Sequence, residues 1–470
     1  MSALSVRLAS NEFMTEQQTM TDTTNENEVG IPMGRITWGV LVTAFVVFCM
    51  ICLASTIGLY GFIFRSTVPM SATLQISRGT ALVTNADVTE RGYRAETTLP
   101  TRPVVINNSA QTQSVLVFGS ADPERGPLAL LTLQDNSEIR LLSAEHPRFS
   151  WSVLRSEIIL DSFDGELDIF VFDRGNELSD IRIIDVAGNR VDILDTGRYV
   201  ISSVNNRMYV DTREGNAIIF ATDERSAVSV TSGQQYRVGG DLNNPSRVTT
   251  YRENLIDKGL FAFIQPSVVD DAQYLPYPWG CEVRQDNLPS STYTMDYWEG
   301  RRAVRYTRGN GAESHGETNC SQSFGPDGVS LQGYTFLEIE TTVLINYQSL
   351  SKCGQEGSEC PLMLRLRFET EDGGTFEWIQ GLYYADDPNR DYPNQCSGCL
   401  QANLQMNQKV WYTYRSDNLI ATLSAAGYPP LTSIKDIKFY ASGHDYDVFV
   451  SELGLYRGWV DVVPQVSQAE

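Results

Sequence analysis

The stretch GRYVISSVNNRMYVDTREGNAIIFATDERSAVSVTSGQQYRV, residues 197–238, sets the rhythm from which the fold is read. Short β-branched and aromatic runs at 199–202, 208–211, 217–221, 227–230 and 235–238 alternate with turn residues such as Gly215 and Asn216. Runs of this length and composition, punctuated by Gly and Asn, predict consecutive antiparallel strands. The rhythm extends upstream through 74–76, 80–83, 104–106, 114–118, 128–133, 138–142, 158–160, 167–172, 181–185 and 190–193. Turn signals fall at Asn107 and Asn108, at 135–137, at Asp164 and Gly165, and at Gly188 and Asn189. An all-β region over residues 72–240 is the expectation.

Nearer the N-terminus the pattern changes completely. Residues 36–64 contain no charged side chain and are flanked by Arg35 and Arg65. At ~1.5 Å of rise per residue this run exceeds the roughly 20 residues a helix needs to cross a bilayer, and Trp38 and Tyr60 stand near its ends as interfacial anchors. A transmembrane helix over 36–64 is expected. A cleaved signal peptide fits poorly, since the preceding tail is acidic and no small-residue cleavage site follows. Residues 1–35 are rich in Ser, Thr, Asn, Gln and Glu and are expected to be disordered. Cys49 and Cys52 lie inside the span, whereas six cysteines fall in the distal half, an even number that suits disulfides in an oxidising compartment. The expected topology is therefore a single-pass protein of the cell membrane, with residues 1–35 cytoplasmic and 66–470 outside.

The formal net charge of −22 argues against a nucleic-acid partner, which requires a basic stripe. It favours divalent cations or neutral, sugar-like ligands over anions. Residues 241–275 read as a connector with a short helix over 251–258. Beyond it Trp, Tyr and Cys become frequent, and runs at 304–306, 335–345, 362–368, 375–384, 409–414, 437–441 and 447–456 predict a second all-β domain over 276–460. Residues 461–470 are expected to form a flexible end.

Two resemblances sharpen this picture. Gly197 and Tyr199 opening a strand, the strand 208–210, the turn Glu214 and Gly215, and the closing Ser232, Gly233, Gln234, Gln235 and Val238 resemble the FecR-like extracytoplasmic domain. Asp135, Asn136 and Ser137 followed by Ile139 are similar to that family's Asp-Gly-Ser turn, with Asn136 in place of Gly, and Arg198 stands where the family usually has Thr. The ending Phe439, Tyr440, Ser442, Gly443, His444, Asp445, Tyr446, Asp447, Val448, Val450 and Leu455 resembles the closing strand pair of galactose-binding-like jelly-rolls, common in carbohydrate-binding modules. The implied fold class is an all-β ectodomain, a FecR-like β-roll or sandwich over 72–240 plus a jelly-roll β-sandwich over 276–460, preceded by one transmembrane α-helix.

Catalysis has few candidates. His146, His315 and His444 lie in no recognisable catalytic motif, and the acid pairs Glu369 with Glu371 and Asp386 with Asp387 are more simply read as solvated. The chain is expected not to be an enzyme. Cys396 and Cys399 form a C-x-x-C unit, for which a structural disulfide, a zinc site and redox chemistry are the alternatives. Proximity in sequence suggests the pairs Cys281 with Cys320, Cys353 with Cys360, and Cys396 with Cys399. Asp387, Asn389 and Asp391 alternate oxygen donors as a calcium loop does, though Tyr392 and Gly398 exclude an EF-hand; Asp445 and Asp447 offer a second place for a structural calcium ion. No other cofactor is indicated. Trp378, Tyr384, Trp411 and Tyr412 are the candidate stacking surface for a glycan, because aromatic rings pack on the apolar faces of sugars. The functional expectation is a membrane-anchored binding protein that recognises a glycan, an envelope protein or another envelope component through its distal domain. The alternative is FecR-like transmembrane signalling, for which the tail lacks a tryptophan-bearing helical module.

Overall fold

The computed structural model describes residues 33–459, apart from 86–87, 101–102, 121–125, 150, 153, 176, 178, 206, 223–226, 239–246, 250–251, 265–274 and 286. The tail up to residue 32, much of the expected connector and the end from residue 460 onward therefore lie outside the described residues.

Met33–Arg65 is one continuous α-helix, long and apolar enough to cross a membrane. It is apolar all round, with Val40, Leu41, Phe45, Phe48, Ile51 and Leu53 all exposed, a pattern that differs from the one-sided stripe of a surface helix. Two of its hydroxyls bond within the helix: Thr43 Oγ1 donates to Gly39 O (2.8 Å) and Thr56 Oγ1 to Cys52 O (2.7 Å).

From Ile63 onward the chain forms one compact unit, built almost entirely of β-strands. Its first part contains two sheets joined by one long strand, Ser156–Val171. The first half of that strand pairs antiparallel with Glu138–Pro147 and parallel with Ser179–Asp185. Its second half pairs with Pro127–Leu133 and Gly197–Val204. The turn expected at Asp164 and Gly165 is thus a bulge inside a continuous strand. Gly165 has φ +108°, and an added Cβ would lie 2.3 Å from Ser137 Oγ, so only glycine fits where the strand passes from one sheet to the other. Ser137 Oγ holds this point by accepting from Glu166 N (2.8 Å). The core between the sheets comprises Leu74, Phe118, Leu131, Ile158, Phe163, Ile169, Ile201 and their neighbours. Tyr199 is buried there with its hydroxyl donating to Asp195 O (3.0 Å) and accepting from Asn216 N (3.1 Å). A Cβ on Gly215 would strike that hydroxyl at 2.1 Å, which explains the glycine in the Glu214–Gly215 turn.

The second part is a sandwich of two antiparallel-dominated sheets. One runs Thr292–Trp298, Arg301–Arg308, Tyr446–Gly458, Phe336–Gln348, Tyr412–Arg415, and the other Gly280–Gln285, Gly316–Ser323, Leu431–Gly443, Leu362–Thr370, Thr375–Tyr383, Leu404–Gln405. Leu364, Leu366, Phe368, Trp378, Ile437 and Phe439 face Val304, Tyr306, Ile339, Val343 and Val450 across its core. The helix expected over 251–258 is absent from the described residues of that interval. Arg252–Asn254 instead adds a strand to Tyr446–Gly458, because Asn254 Oδ1 accepts from both Ile256 N (3.0 Å) and Leu455 N (3.2 Å). Such local side-chain acceptance competes with helix. The strands Gly280–Gln285 and Gly316–Ser323 escaped the sequence reading because they carry few apolar residues, whereas Thr292–Trp298 carries a legible alternation of Tyr293, Met295 and Tyr297 with polar residues that was passed over.

The six distal cysteines pair as Cys281–Cys320, Cys353–Cys360 and Cys396–Cys399. Their sequence separations are 39, 7 and 3. Chain-entropy arguments scale with the loop closed, giving about 4 kcal/mol for the longest and about 2 kcal/mol for the shortest. Urea denaturation of Ala-substituted pairs is expected to show the larger fall in midpoint for Cys281 with Cys320; equal falls would contradict an entropic origin.

Candidate functional site

The two β parts meet along an extended seam. Val115, Leu130, Phe170 and Phe172 of the first part pack on Ala303, Leu344, Trp411 and Phe449 of the second. The Arg301 guanidinium lies 4.4 Å from the Phe170 ring centroid and 4.9 Å from that of Trp411. Beside this apolar patch is a buried charge cluster. Arg198, from the first part, donates to both oxygens of Glu452 (3.1 Å each), to Glu340 (3.3 Å) and to Asp168 (3.2 Å). Arg213 also reaches Glu340, Arg301 reaches Glu452 (3.3 Å), and Arg415 bridges Glu340 (2.7 Å), Asp168 and Glu166. Asp168 and Arg213 belong to the first part, Glu340, Glu452, Arg301 and Arg415 to the second.

Burial and ion pairing compete in the titration of these groups. It lowers Arg301 to about 10 and Arg415 to about 10, and raises Glu340 to about 7 against the pull of Arg213 and Arg198. For Glu452 burial is outweighed by Arg198 and Arg301, which hold its carboxyl at about 2.

Next to the cluster opens a polar cleft of about 860 Å³. One wall comes from loops and strand ends of the first part: Arg78, residues 111–113, 134–136 and 164–166. The other comes from Glu338, Gln380, residues 401–402 and the edge strand Tyr412–Arg415 with the residues that follow it. Amides, hydroxyls and carboxylates share its polar lining. Gln113 Nε2 donates to Thr413 O (2.8 Å) while its Oε1 accepts from Thr413 N (2.9 Å), so the side chain occupies both backbone groups of that residue. Gln401 Nε2 donates to the Tyr414 hydroxyl (3.1 Å) and also contacts Gln380 Oε1. Asp135, Asp164 and Asp417 are exposed at the rim. Convergent amides, carboxylates and guanidinia supply donors and acceptors at fixed places, which suits a polyhydroxylated ligand. Among the described residues no histidine lines this cleft.

The aromatic surface expected from the sequence does not form. Trp378 lies in the sandwich core, fully buried, and Tyr412 is also buried there. Trp411 is buried in the seam beside Arg301. Tyr384 is half-buried, its N–H donating to Gln348 Oε1 (2.8 Å). The reason is strand alternation: Trp411 and Tyr412 do face opposite ways, but one direction leads into the core and the other into the seam. The acids expected to hold calcium mostly accept hydrogen bonds from the protein. Asp387 Oδ1 accepts from Asn389 N (3.0 Å) and Asn389 Nδ2 (2.9 Å), closing the loop on itself, and Asp391 joins no metal-binding cluster among the described residues. Asp445 accepts from Ala312 N (2.8 Å) and Gly311 N (3.2 Å). Asp447 accepts from two Arg305 nitrogens (2.8 and 2.9 Å) and from Asn346 (2.6 Å). The cleft itself was missed because its lining comes from loops and strand ends distant in sequence. One signal did point to the seam: Arg198, the departure from the FecR-like pattern.

No family model matches the chain, and no curated protein matches it. Among solved structures it is similar to a candidate anti-sigma factor from Parabacteroides distasonis, at 13% identity and a TM-score of 0.23, over 31% of this chain. The match spans 59% of that protein's length. It is also similar to a family 11 carbohydrate-binding module from Clostridium thermocellum, at 10% identity and a TM-score of 0.24, over 41% of this chain and 95% of the module. A third similarity is to a family 22 xylan-binding domain from Paenibacillus barcinonensis, at 12% identity and a TM-score of 0.22, over 39% of this chain and 88% of that one.

Two outcomes test the cluster. Arg198→Leu leaves buried carboxylates short of a partner and is expected to destabilise the full chain in detergent by roughly 3–5 kcal/mol in urea titration. Glu452 titrates at 4.5 ordinarily and at about 2 when folded, so folding favours its ionised form. That contribution is fully present above pH 4.5 and is lost as pH falls toward 2. Glu452→Gln is expected to flatten the acid limb of the stability profile relative to wild type; an unchanged slope would contradict the pairing.

Proposed function

We propose that this chain is a single-pass, membrane-anchored, non-enzymatic binding protein whose β parts lie outside the cell and take a neutral glycan in the cleft between them. The observation that carries this reading is the cleft itself: about 860 Å³, lined by Gln, Asn, Asp, Glu, Arg and Tyr side chains. Sugars present hydroxyls that both donate and accept, and amides and carboxylates on two rigid walls complement them. The helix Met33–Arg65 and the three distal disulfides support the anchored, extracytoplasmic placement. The site differs from the one expected on the sequence, since it is shared by both β parts.

The test is a glycan array probed with the full chain in lipid nanodiscs. Asp135→Ala and Gln401→Ala are each expected to weaken binding about five- to tenfold, the loss of one hydrogen bond at a ligand. Binding that ignores both substitutions, or the absence of any glycan ligand, would overturn the proposal.

A further inference from the structure

The segment that follows the apolar helix is tied at once to another part of the chain. A single residue, Ser66, separates the helix end at Arg65 from the strand Thr67–Pro69. That strand pairs antiparallel with residues 145–147. Two further bonds extend the contact: Arg148 N donates to Ser66 O (3.0 Å), and Ser152 Oγ donates to Phe64 O (3.0 Å). Residues 145–149, 151 and 152 therefore lie beside residues 64–69.

On this segment sit Phe149 and Trp151, whose rings stack at 4.9 Å between centroids with 14° between planes. The local turn is fixed by Ser152 N donating to Phe149 O (3.0 Å). Trp151 is 61% exposed, whereas Trp378 and Trp411 are buried. An exposed indole stacked on a second ring loses apolar contact with water only if something covers it. Arg65 and Arg148 stand at the same place, and indole and guanidinium are the groups that settle at the headgroup layer of a bilayer.

We propose that Phe149 and Trp151 form a second membrane contact, inserting at the boundary between lipid headgroups and acyl chains next to the point where the helix leaves the bilayer. This rests on the membrane-anchored reading above. The occupant is lipid, because the hydrogen bonds to Phe64 O and Ser66 O hold the rings at the level of the helix end. A contact of this kind would restrain the β unit near the membrane without lengthening the anchor.

The test reconstitutes the full chain into phosphatidylcholine vesicles whose acyl chains are brominated close to the headgroup. The emission lost in Trp151→Phe reports on Trp151, and that lost in Trp38→Phe reports on the helix. Quenching of the Trp151 emission by the brominated lipid, with protection from aqueous iodide, is expected. Iodide quenching of Trp151 with no effect of bromine, while Trp38 remains lipid-quenched, would overturn the second contact and leave the anchor standing. Loss of lipid quenching at both positions, with protein that fails to float with vesicles, would overturn both readings.

Discussion

The relation between the two β parts depends on one guanidinium. Arg198 is buried and reaches Asp168 in its own part and Glu340 and Glu452 in the other. A buried ion pair is poor evidence for net stability, because desolvation offsets much of the attraction. What it does supply is specificity of placement. An arginine fork satisfied by three carboxylates has few alternative geometries, and each shift of the seam would leave a charge without its partner. The apolar patch around Phe170 and Trp411 supplies adhesion; the cluster beside it fixes which way the surfaces meet.

The cleft follows from that placement. Its walls are the loops and strand ends of one part and the edge strand of the other, so its shape is defined only while the seam is held. The Arg415 guanidinium connects the two features directly, since it lines the cleft and also bonds Glu340 and Asp168. A site made this way is as rigid as the sheets behind it, which is what orienting several hydroxyls at once requires.

Much of the fold was legible because strands with one buried face announce themselves by alternation, as 181–185 and 364–368 do. Strands of mixed polarity, such as Gly316–Ser323, hid in the same composition as loops. At Asp164 and Gly165 the turn chemistry was real but its use was different: glycine was needed for a close approach to Ser137 inside a strand. Trp378, Trp411 and Tyr412 show a harder limit, since an aromatic in a strand has the same sequence signature whether it faces solvent, core or a neighbouring sheet. Arg198 was visible as a departure from a turn pattern, yet its three partners lie up to 254 residues away, and no local rule connects them.

Gln113 carries a consequence for how the molecule is divided. Tyr412–Arg415 ends its sheet, and an end strand with open backbone groups is a template for foreign strands. At Thr413 those groups are taken by the Gln113 amide, a side chain from the other β part. Cutting the chain at the connector would uncap them and bare Trp411 together, producing a fragment with a sticky border. The first part therefore acts as a built-in guard against self-association, and the natural unit of expression is the pair.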